Sequence, residues 1–151
     1  MGIEIEKKYL IEKMPILPEN IVANKIVQGY LKRGVYSSTI RVRQLGNTGY
    51  ITIKGKKVGL VQPEYEYEIP VEDAKELFEL CEPGLLEKTR YYIPHGKFTI
   101  ELDIFEGKNK GLIIAEVELE SENEVFDIPY WFGKEVSYDS NYSNAALSRA
   151  W

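Results

Sequence analysis

The sequence predicts a mainly β protein of the α+β class, an eight-stranded closed antiparallel barrel with a few helices packed outside it. Short stretches in which charged and apolar residues alternate recur along the 151 residues, and glycine, proline and asparagine separate them. The polar positions of these stretches carry mainly Lys, Arg, Asp and Glu, which cannot form an ordinary apolar core. We therefore expect a barrel with a charged interior.

The composition, with 44% hydrophobic and 28% charged residues, is typical of a soluble folded protein, and the length fits one domain. The formal net charge of -5 argues against a nucleic-acid surface. The single Cys81 cannot form an internal disulfide, and no apolar stretch approaches the ~20 residues of a membrane span. The first strand also begins close to Met1, with no signal sequence before it. We expect a cytoplasmic protein that binds neither nucleic acid nor membrane, and its oligomeric state is left open.

The first strand, residues 4–8, sets the pattern for the rest of the chain. Glu4, Glu6 and Lys8 occupy alternate positions, so an extended strand places all three side chains on one face. Two prolines and the stretch Glu-Asn-Ile-Val-Ala then predict a loop and a short helix over residues 16–23.

The remaining elements follow from turn residues and from periodicity. A Gly-Asn-Thr-Gly turn at residues 46–49 joins the third and fourth strands into a hairpin. An apolar stripe of helical spacing covers residues 71–81 and ends at a proline-glycine pair. The strands after the first are predicted at residues 25–32, 38–44, 50–54, 64–69, 87–93, 97–105 and 112–120. The tail, residues 125–151, is mixed and suits a covering segment, with a short helix over 144–151.

Charged residues share faces on most of these strands. Besides the first strand, the same-face groups are Arg41 with Arg43, Lys54, Glu64 with Glu66 and Glu68, Lys88 with Arg90, Glu101 with Asp103, and Glu116 with Glu118. One strand with such a charged face is typical of a sheet whose outer face is solvated. Charged faces on most of the strands favour an inverted barrel, in which the charges line a water-filled tunnel and the apolar faces point outward. Like charges ~4 Å apart repel by about 4 kcal/mol at an effective dielectric near 20. The acids therefore require a cation, and the bases require an anion.

The two charged sets favour phosphates and a hard metal ion. Six positive charges suit a phosphate chain, because guanidinium groups bind phosphate oxygens in pairs. The carboxylates are the ligands that Mg²⁺ or Mn²⁺ prefers, whereas one His and one Cys disfavour zinc. Phosphoryl transfer to water is the reaction that this combination favours. The glycine-rich Walker pattern is absent.

Short motifs along essentially the whole chain match one family in order. They are Glu4-x-Glu6-x-Lys8, Gln28-Gly29-Tyr30-Leu31, Arg41-x-Arg43, Thr52-Ile53-Lys54-Gly55, Glu66-Tyr67-Glu68-Ile69, Lys88-Thr89-Arg90, Asp103-Ile104-Phe105-Glu106-Gly107, Ala115-Glu116-Val117-Glu118 and Asn141-Tyr142-Ser143-Asn144. In these motifs the sequence resembles the CYTH superfamily, also called triphosphate tunnel metalloenzymes. The segment 59–63 departs from the family, because it lacks the basic residue that many relatives carry there.

The resemblance implies a single triphosphate-tunnel domain over residues 1–151, which binds a small-molecule triphosphate with one or two Mg²⁺ or Mn²⁺ ions. By resemblance the phosphate-binding residues are Lys8, Arg41, Arg43, Lys54, Lys88 and Arg90. The metal-binding residues, directly or through water, are Glu4, Glu6, Glu66, Glu68, Asp103, Glu116 and Glu118. The catalytic residues are Lys88, Glu6 and Glu68, with Lys88 orienting the attacking water. For Glu64, a rim position and a ligand position both stay open.

The family contains inorganic triphosphatases, thiamine triphosphatases, class IV adenylyl cyclases and RNA triphosphatases. We expect hydrolysis of inorganic triphosphate to pyrophosphate and orthophosphate, with other triphosphates as further substrates, because the chain is short and ends soon after its last strand. The alternatives are a class IV adenylyl cyclase, a thiamine triphosphatase, or a non-catalytic module that binds polyphosphate or nucleotide.

Overall fold

The computed structural model describes residues 2–34 and 38–149 and contains a closed antiparallel barrel of eight strands. The strands are β1 Ile3–Leu10, β2 Val22–Lys32, β3 Thr39–Leu45, β4 Thr48–Lys54, β5 Val61–Ile69, β6 Leu86–His95, β7 Phe98–Phe105 and β8 Ile113–Glu118. Their order around the barrel is β1-β5-β4-β3-β2-β6-β7-β8. The predicted fold class is confirmed.

The described helices are short. They are α1 Val71–Leu77 and α2 Asn144–Leu147, with single 3-10 turns at Phe78–Leu80, Gly107–Asn109 and Ser140–Tyr142. Helix α2 ends before the predicted helix over 144–151 does, and the last two residues of that prediction lie outside the described residues. Within the described part of the chain, neither helix is long and apolar enough to cross a membrane.

The predicted helix within residues 16–23 is wrong. The structure has a turn at residues 19–20, with Asn20 in the left-handed region at φ 62°, and β2 begins directly afterwards at Val22. Val22 and Ala23 pair with Tyr92 and Tyr91 of β6. Strand pairing thus decides the conformation of a stretch whose local sequence also suited a helix.

The apolar core lies outside the barrel, between its wall and the tail. The outward side chains of β7 and β8 are almost fully buried, and Phe126, Trp131 and Phe132 of the tail pack against them. These outward residues are Ile100, Leu102, Ala115 and Val117. The inverted arrangement that the alternation predicted is therefore present, and the tail is a covering segment along the wall.

Helix α1 covers another part of the wall, against β3 and β4. Ala74 of α1 is fully buried there, and so is Val42 on the outward face of β3. A side chain on Gly49 of β4 would place its Cβ 3.0 Å from the Ala74 Cβ. Glycine at this position lets the helix approach the strand closely.

One end of the barrel is apolar and covered. β1 and β7 end at this end, and β6 and β8 begin there, which brings Leu86, Phe105 and Ile114 together in a buried cluster. Tyr142 and Leu147 of the tail pack against this cluster. The charged part of the interior consequently lies between a covered end and the opposite end.

Candidate active site

All six predicted phosphate-binding cations lie in the barrel interior, and their side chains are buried or nearly so. They come from four strands, with Lys8 on β1, Arg41 and Arg43 on β3, Lys54 on β4, and Lys88 and Arg90 on β6. Alternation along each strand directs these side chains inward while their apolar neighbours face out.

Arg41 has an unsatisfied donor. Its Nη2 donates to Thr52 Oγ1 at 3.0 Å and to Glu66 Oε2 at 3.1 Å, and Glu64 Oε1 lies 3.9 Å away. Arg41 Nε is buried without a hydrogen-bond partner, and it is the one such side-chain atom among residues 2–34 and 38–149. A buried donor without a partner costs about 1–3 kcal/mol, which an acceptor from a bound anion would offset.

Arg43 lies in a strongly positive environment. Its Nε donates to Gln28 Oε1 at 2.9 Å, and Gln28 Nε2 donates to the Tyr30 hydroxyl at 3.2 Å. Burial, followed by the positive charges of Arg41 and Arg90, lowers the pKa of Arg43 to about 10. Uncompensated positive charge of this kind favours an anionic ligand.

Lys88, Arg90 and Asp103 form a buried ion-pair network. Lys88 Nζ donates to Asp103 Oδ2 at 2.7 Å and to Asn144 Oδ1 at 3.2 Å. Arg90 donates to both Asp103 oxygens, at 2.7 and 2.9 Å, and to Glu101 and Glu116. Burial lowers the pKa of Lys88 to about 8, against the opposing effect of Asp103.

A second region of the interior gathers carboxylates from β1 and β8. Glu6 pairs with Glu118 across the two strands, and Glu116 pairs with Lys8. Burial, followed by the negative charges of Glu116 and Glu4, raises the pKa of Glu6 to about 8. The pKa of Glu118 is also raised, by burial and then by Glu4 and Glu6.

These carboxylates fit a divalent cation by their chemistry, because they are hard oxygen donors whose mutual repulsion such an ion relieves. Lysines separate them at present: Lys8 Nζ lies 3.8 Å from Glu6 and 3.6 Å from Glu116, and Lys54 Nζ lies 3.1 Å from Glu4. Within the described residues no three His, Cys, Asp or Glu side chains already form a metal-binding group.

Three predicted site residues lie apart from this carboxylate group. Glu66 belongs to the Arg41 contacts, and Glu68 is exposed and forms no ion pair within the part of the chain that the structure describes. Asp103 lies in the network with Lys88 and Arg90. Glu64, whose position the sequence left open, lies 3.7 Å from Lys54 Nζ and joins the interior ion pairs.

Sequence reasoning gave no site role to several residues that lie near the charged side chains of the site. Thr52 and Glu101 contact the arginines and lie on the charged faces, so alternation is a signal that could have found them. Lys57 precedes β5, and its pKa is lowered by burial and then by nearby Lys8. Lys57 and Asn144 come from a loop and the tail, where alternation gives no signal.

A cavity of about 510 Å³ lies at the end of the barrel opposite the apolar cluster. Tyr92, Glu101 and Glu118 contribute to its lining from β6, β7 and β8. The negative charge of Glu6 contributes to raising the pKa of both Glu101 and Glu118, so the cavity lies beside the acidic part of the interior.

Comparisons with known proteins show what the chain is similar to. A model of the CYTH domain matches residues 2–148. An inorganic triphosphatase of Acetivibrio thermocellus is 42% identical over 97% of this chain and 94% of that protein. An inorganic triphosphatase of Nitrosomonas europaea is 38% identical over 96% of each chain. A solved structure of an inorganic triphosphatase matches with a TM-score of 0.71 and 35% identity, over 98% of this chain and 95% of that one.

Proposed function

Because the chain belongs to the CYTH domain family, we propose that it is a divalent-metal-dependent hydrolase that converts inorganic triphosphate to pyrophosphate and orthophosphate. The observation that carries the proposal is the buried cation cluster, in which Arg41 Nε has no partner among the described residues. A triphosphate supplies the acceptor oxygens and the negative charge that this cluster lacks.

The substrate is held by Lys8, Arg41, Arg43, Lys54, Lys88 and Arg90. Two features support this assignment beyond the count of charges. The pKa of Arg43 is depressed by burial and by its cationic neighbours, so an anion nearby stabilises its charged form. The guanidinium groups of Arg41 and Arg43 also lie on the same face of β3, where both can contact a phosphate chain.

Glu4, Glu6, Glu116 and Glu118 would hold one or two Mg²⁺ or Mn²⁺ ions, with Glu66 and Glu68 contributing from β5. Such an ion would supply positive charge to offset the charge that develops on the phosphoryl group and would make a water molecule more nucleophilic. Asp103 was also predicted as a metal ligand, and that role remains a prediction. The hydrogen bonds from Lys88 and Arg90 to both Asp103 oxygens favour a role in anchoring these two cations.

Lys88 orients the water that attacks the terminal phosphorus, and Glu6 and Glu68 complete the catalytic set. A fully buried lysine held by Asp103 has a fixed Nζ position, which suits an orienting role. The negative charges of Glu116 and Glu4 help to raise the pKa of Glu6, and a divalent cation bound beside it would oppose that effect.

Product analysis tests the proposal. The purified protein is supplied separately with tripolyphosphate, ATP and thiamine triphosphate, each with Mg²⁺, with Mn²⁺ or with a chelator. We expect orthophosphate mainly from tripolyphosphate, and only with metal. Cyclic AMP from ATP would identify a cyclase, preferential cleavage of thiamine triphosphate would change the substrate, and no product from any of the three would indicate a binding module.

A further inference from the structure

Asn144, a residue of the tail, contacts the buried lysine of the barrel interior. Lys88 comes from β6, whereas Asn144 is the first residue of α2 in the tail. The Asn144 side-chain oxygen accepts a hydrogen bond from Lys88 Nζ at 3.2 Å. The tail thus contributes a polar group to the interior as well as apolar cover for one barrel end.

Lys88 Nζ has one hydrogen-bonding direction without a partner among the described residues. A lysine Nζ has three hydrogen-bonding directions besides its bond to carbon. Asp103 Oδ2 occupies one direction at 2.7 Å, and Asn144 Oδ1 occupies a second. The ring of Phe105 lies 5.5 Å from Nζ. The described residues provide no third hydrogen-bond partner for this fully buried Nζ, so its third direction carries no hydrogen bond within the protein.

Asn144 is itself held in place at both ends of α2. Ser143 precedes it and caps the helix, with its Oγ accepting a hydrogen bond from the Ala146 N–H at 3.1 Å. At the other end, Asn109 Nδ2 donates to the Leu147 carbonyl at 2.8 Å, and Lys108 Nζ donates to the Ser148 carbonyl at 3.1 Å. These contacts hold the backbone of α2, which carries Asn144, against the 3-10 turn at Gly107–Asn109.

We propose that Asn144 is a positioning residue for Lys88. Together with Asp103, it fixes two of the three hydrogen-bonding directions of Nζ, so that the third is presented to the water that attacks the terminal phosphorus. The inference rests on the proposed triphosphate hydrolysis. Asn144 contacts neither the water nor the phosphate and acts through Lys88 alone.

The test compares two replacements of similar shape. Asn144→Leu removes the acceptor oxygen, whereas Asn144→Asp keeps an oxygen at the same place. For Asn144→Leu we expect kcat on tripolyphosphate to fall about 10–100-fold with KM changed little, because a misplaced reacting group slows the chemical step. Asn144→Asp recovers most of kcat. Equal kcat in wild type and Asn144→Leu overturns the proposal.

Ser143→Ala is the control for a merely structural role. It removes the cap of α2 without touching Lys88, so it lowers the melting temperature while kcat stays close to the wild-type value. If Ser143→Ala loses as much activity as Asn144→Leu, the effect comes from loss of the tail and the proposal fails.

A second measurement separates this inference from the proposed function. Side-chain ¹⁵N NMR follows the exchange of the Lys88 ammonium protons with water, and Lys88→Arg identifies the signal. We expect slow exchange in wild type and Ser143→Ala, and faster exchange in Asn144→Leu, whether or not the protein hydrolyses tripolyphosphate. Unchanged exchange in Asn144→Leu overturns the positioning role, whereas an inactive wild type with the expected exchange contradicts only the hydrolysis.

Discussion

At the scale of single residues, the interior is defined by charges whose preferred partners are incomplete. Arg41 Nε is buried without a partner among the described residues, and the pKa of Arg43 is lowered by burial and by neighbouring arginines. The pKa of Glu6 is raised by burial and by other carboxylates. The unpaired donor of Arg41 and the charged forms of Arg43 and Glu6 are each unfavourable in free energy, and an ion of opposite charge stabilises them when it binds. The same residues therefore favour ligand binding in the tunnel.

Arg41→Ala tests the phosphate site. We expect the variant to bind tripolyphosphate more weakly and to turn it over more slowly, because it loses charge-assisted hydrogen bonds of about 1.5–3 kcal/mol each. Steady-state kinetics with tripolyphosphate measure the change, and Lys25→Ala, which removes an exposed ion pair with Glu106, is the control. Unchanged kinetics for Arg41→Ala would remove this residue from the site.

The raised pKa of Glu6 predicts that the stability of the metal-free protein depends on pH. Its pKa is about 8 in the folded state against 4.5 as its ordinary value, so between these values the folded state binds more protons. The contribution of protonated Glu6 to the free energy of unfolding is therefore complete below pH 4.5 and is lost as the pH rises through 8. The loss is at most about 1.4 kcal/mol per pH unit.

Urea unfolding in the presence of a chelator measures this dependence between pH 6 and 9. We expect the free energy of unfolding of wild type to fall over this interval relative to that of Glu6→Gln, which cannot ionise. Parallel pH profiles for the two proteins would contradict the raised pKa of Glu6.

At the scale of elements, the strands supply the charges and the tail supplies the cover. The outward faces of β7 and β8 are apolar and need cover from water. The tail provides this cover with Phe126. The ring of Phe126 lies 5.8 Å from Phe98 and 6.1 Å from Tyr9, measured between centroids. The main apolar packing of the protein therefore depends on a segment in which the structure describes no strand up to residue 149.

Phe126→Ala tests this role of the tail. We expect a loss of about 3–5 kcal/mol in the free energy of unfolding, since a nearly buried aromatic side chain is removed from the outer core. Urea unfolding gives the loss, and Tyr130→Ala, at an exposed position of the same segment, is the control. A change below ~1 kcal/mol in Phe126→Ala would mean that the tail contributes little to the core.

At the scale of the whole molecule, a net charge of -5 conceals an interior in which positive and negative side chains meet in ion pairs. Positive charge dominates around Arg43 of β3, and negative charge dominates around Glu6 of β1. A ligand that carries a metal ion and a phosphate chain complements both regions at once, which links binding to the stability of the whole barrel.

Glu116→Gln tests this link. We expect the variant to lose activity while it keeps the fold, because it lacks a proposed metal ligand, so tripolyphosphate can bind without being consumed. At a ligand concentration of about 100 times Kd, binding to the folded state alone adds about 2.7 kcal/mol. Thermal unfolding with and without tripolyphosphate detects this, with circular dichroism confirming the fold. Full activity contradicts the metal role of Glu116, and an unchanged melting temperature contradicts phosphate binding in the tunnel.

Sequence alone determined the barrel, its inverted interior and the residues that face inward. Alternation fixes the face of a strand residue once the strand exists, so Arg41, Arg43, Lys88 and Glu116 were identifiable without coordinates. The helix predicted before β2 was wrong, because pairing with β6 outweighed local preference.

Tertiary structure alone decided which inward residues meet. Contacts such as Arg41 with Glu66 depend on register and on barrel closure, which a repeat of two residues does not specify. The contact between Lys88 and Asn144 is still harder to predict from the sequence, since it joins a strand to a tail helix 56 positions away. Alternation is a property of each strand by itself, whereas the meeting of side chains from different elements requires the chain to fold.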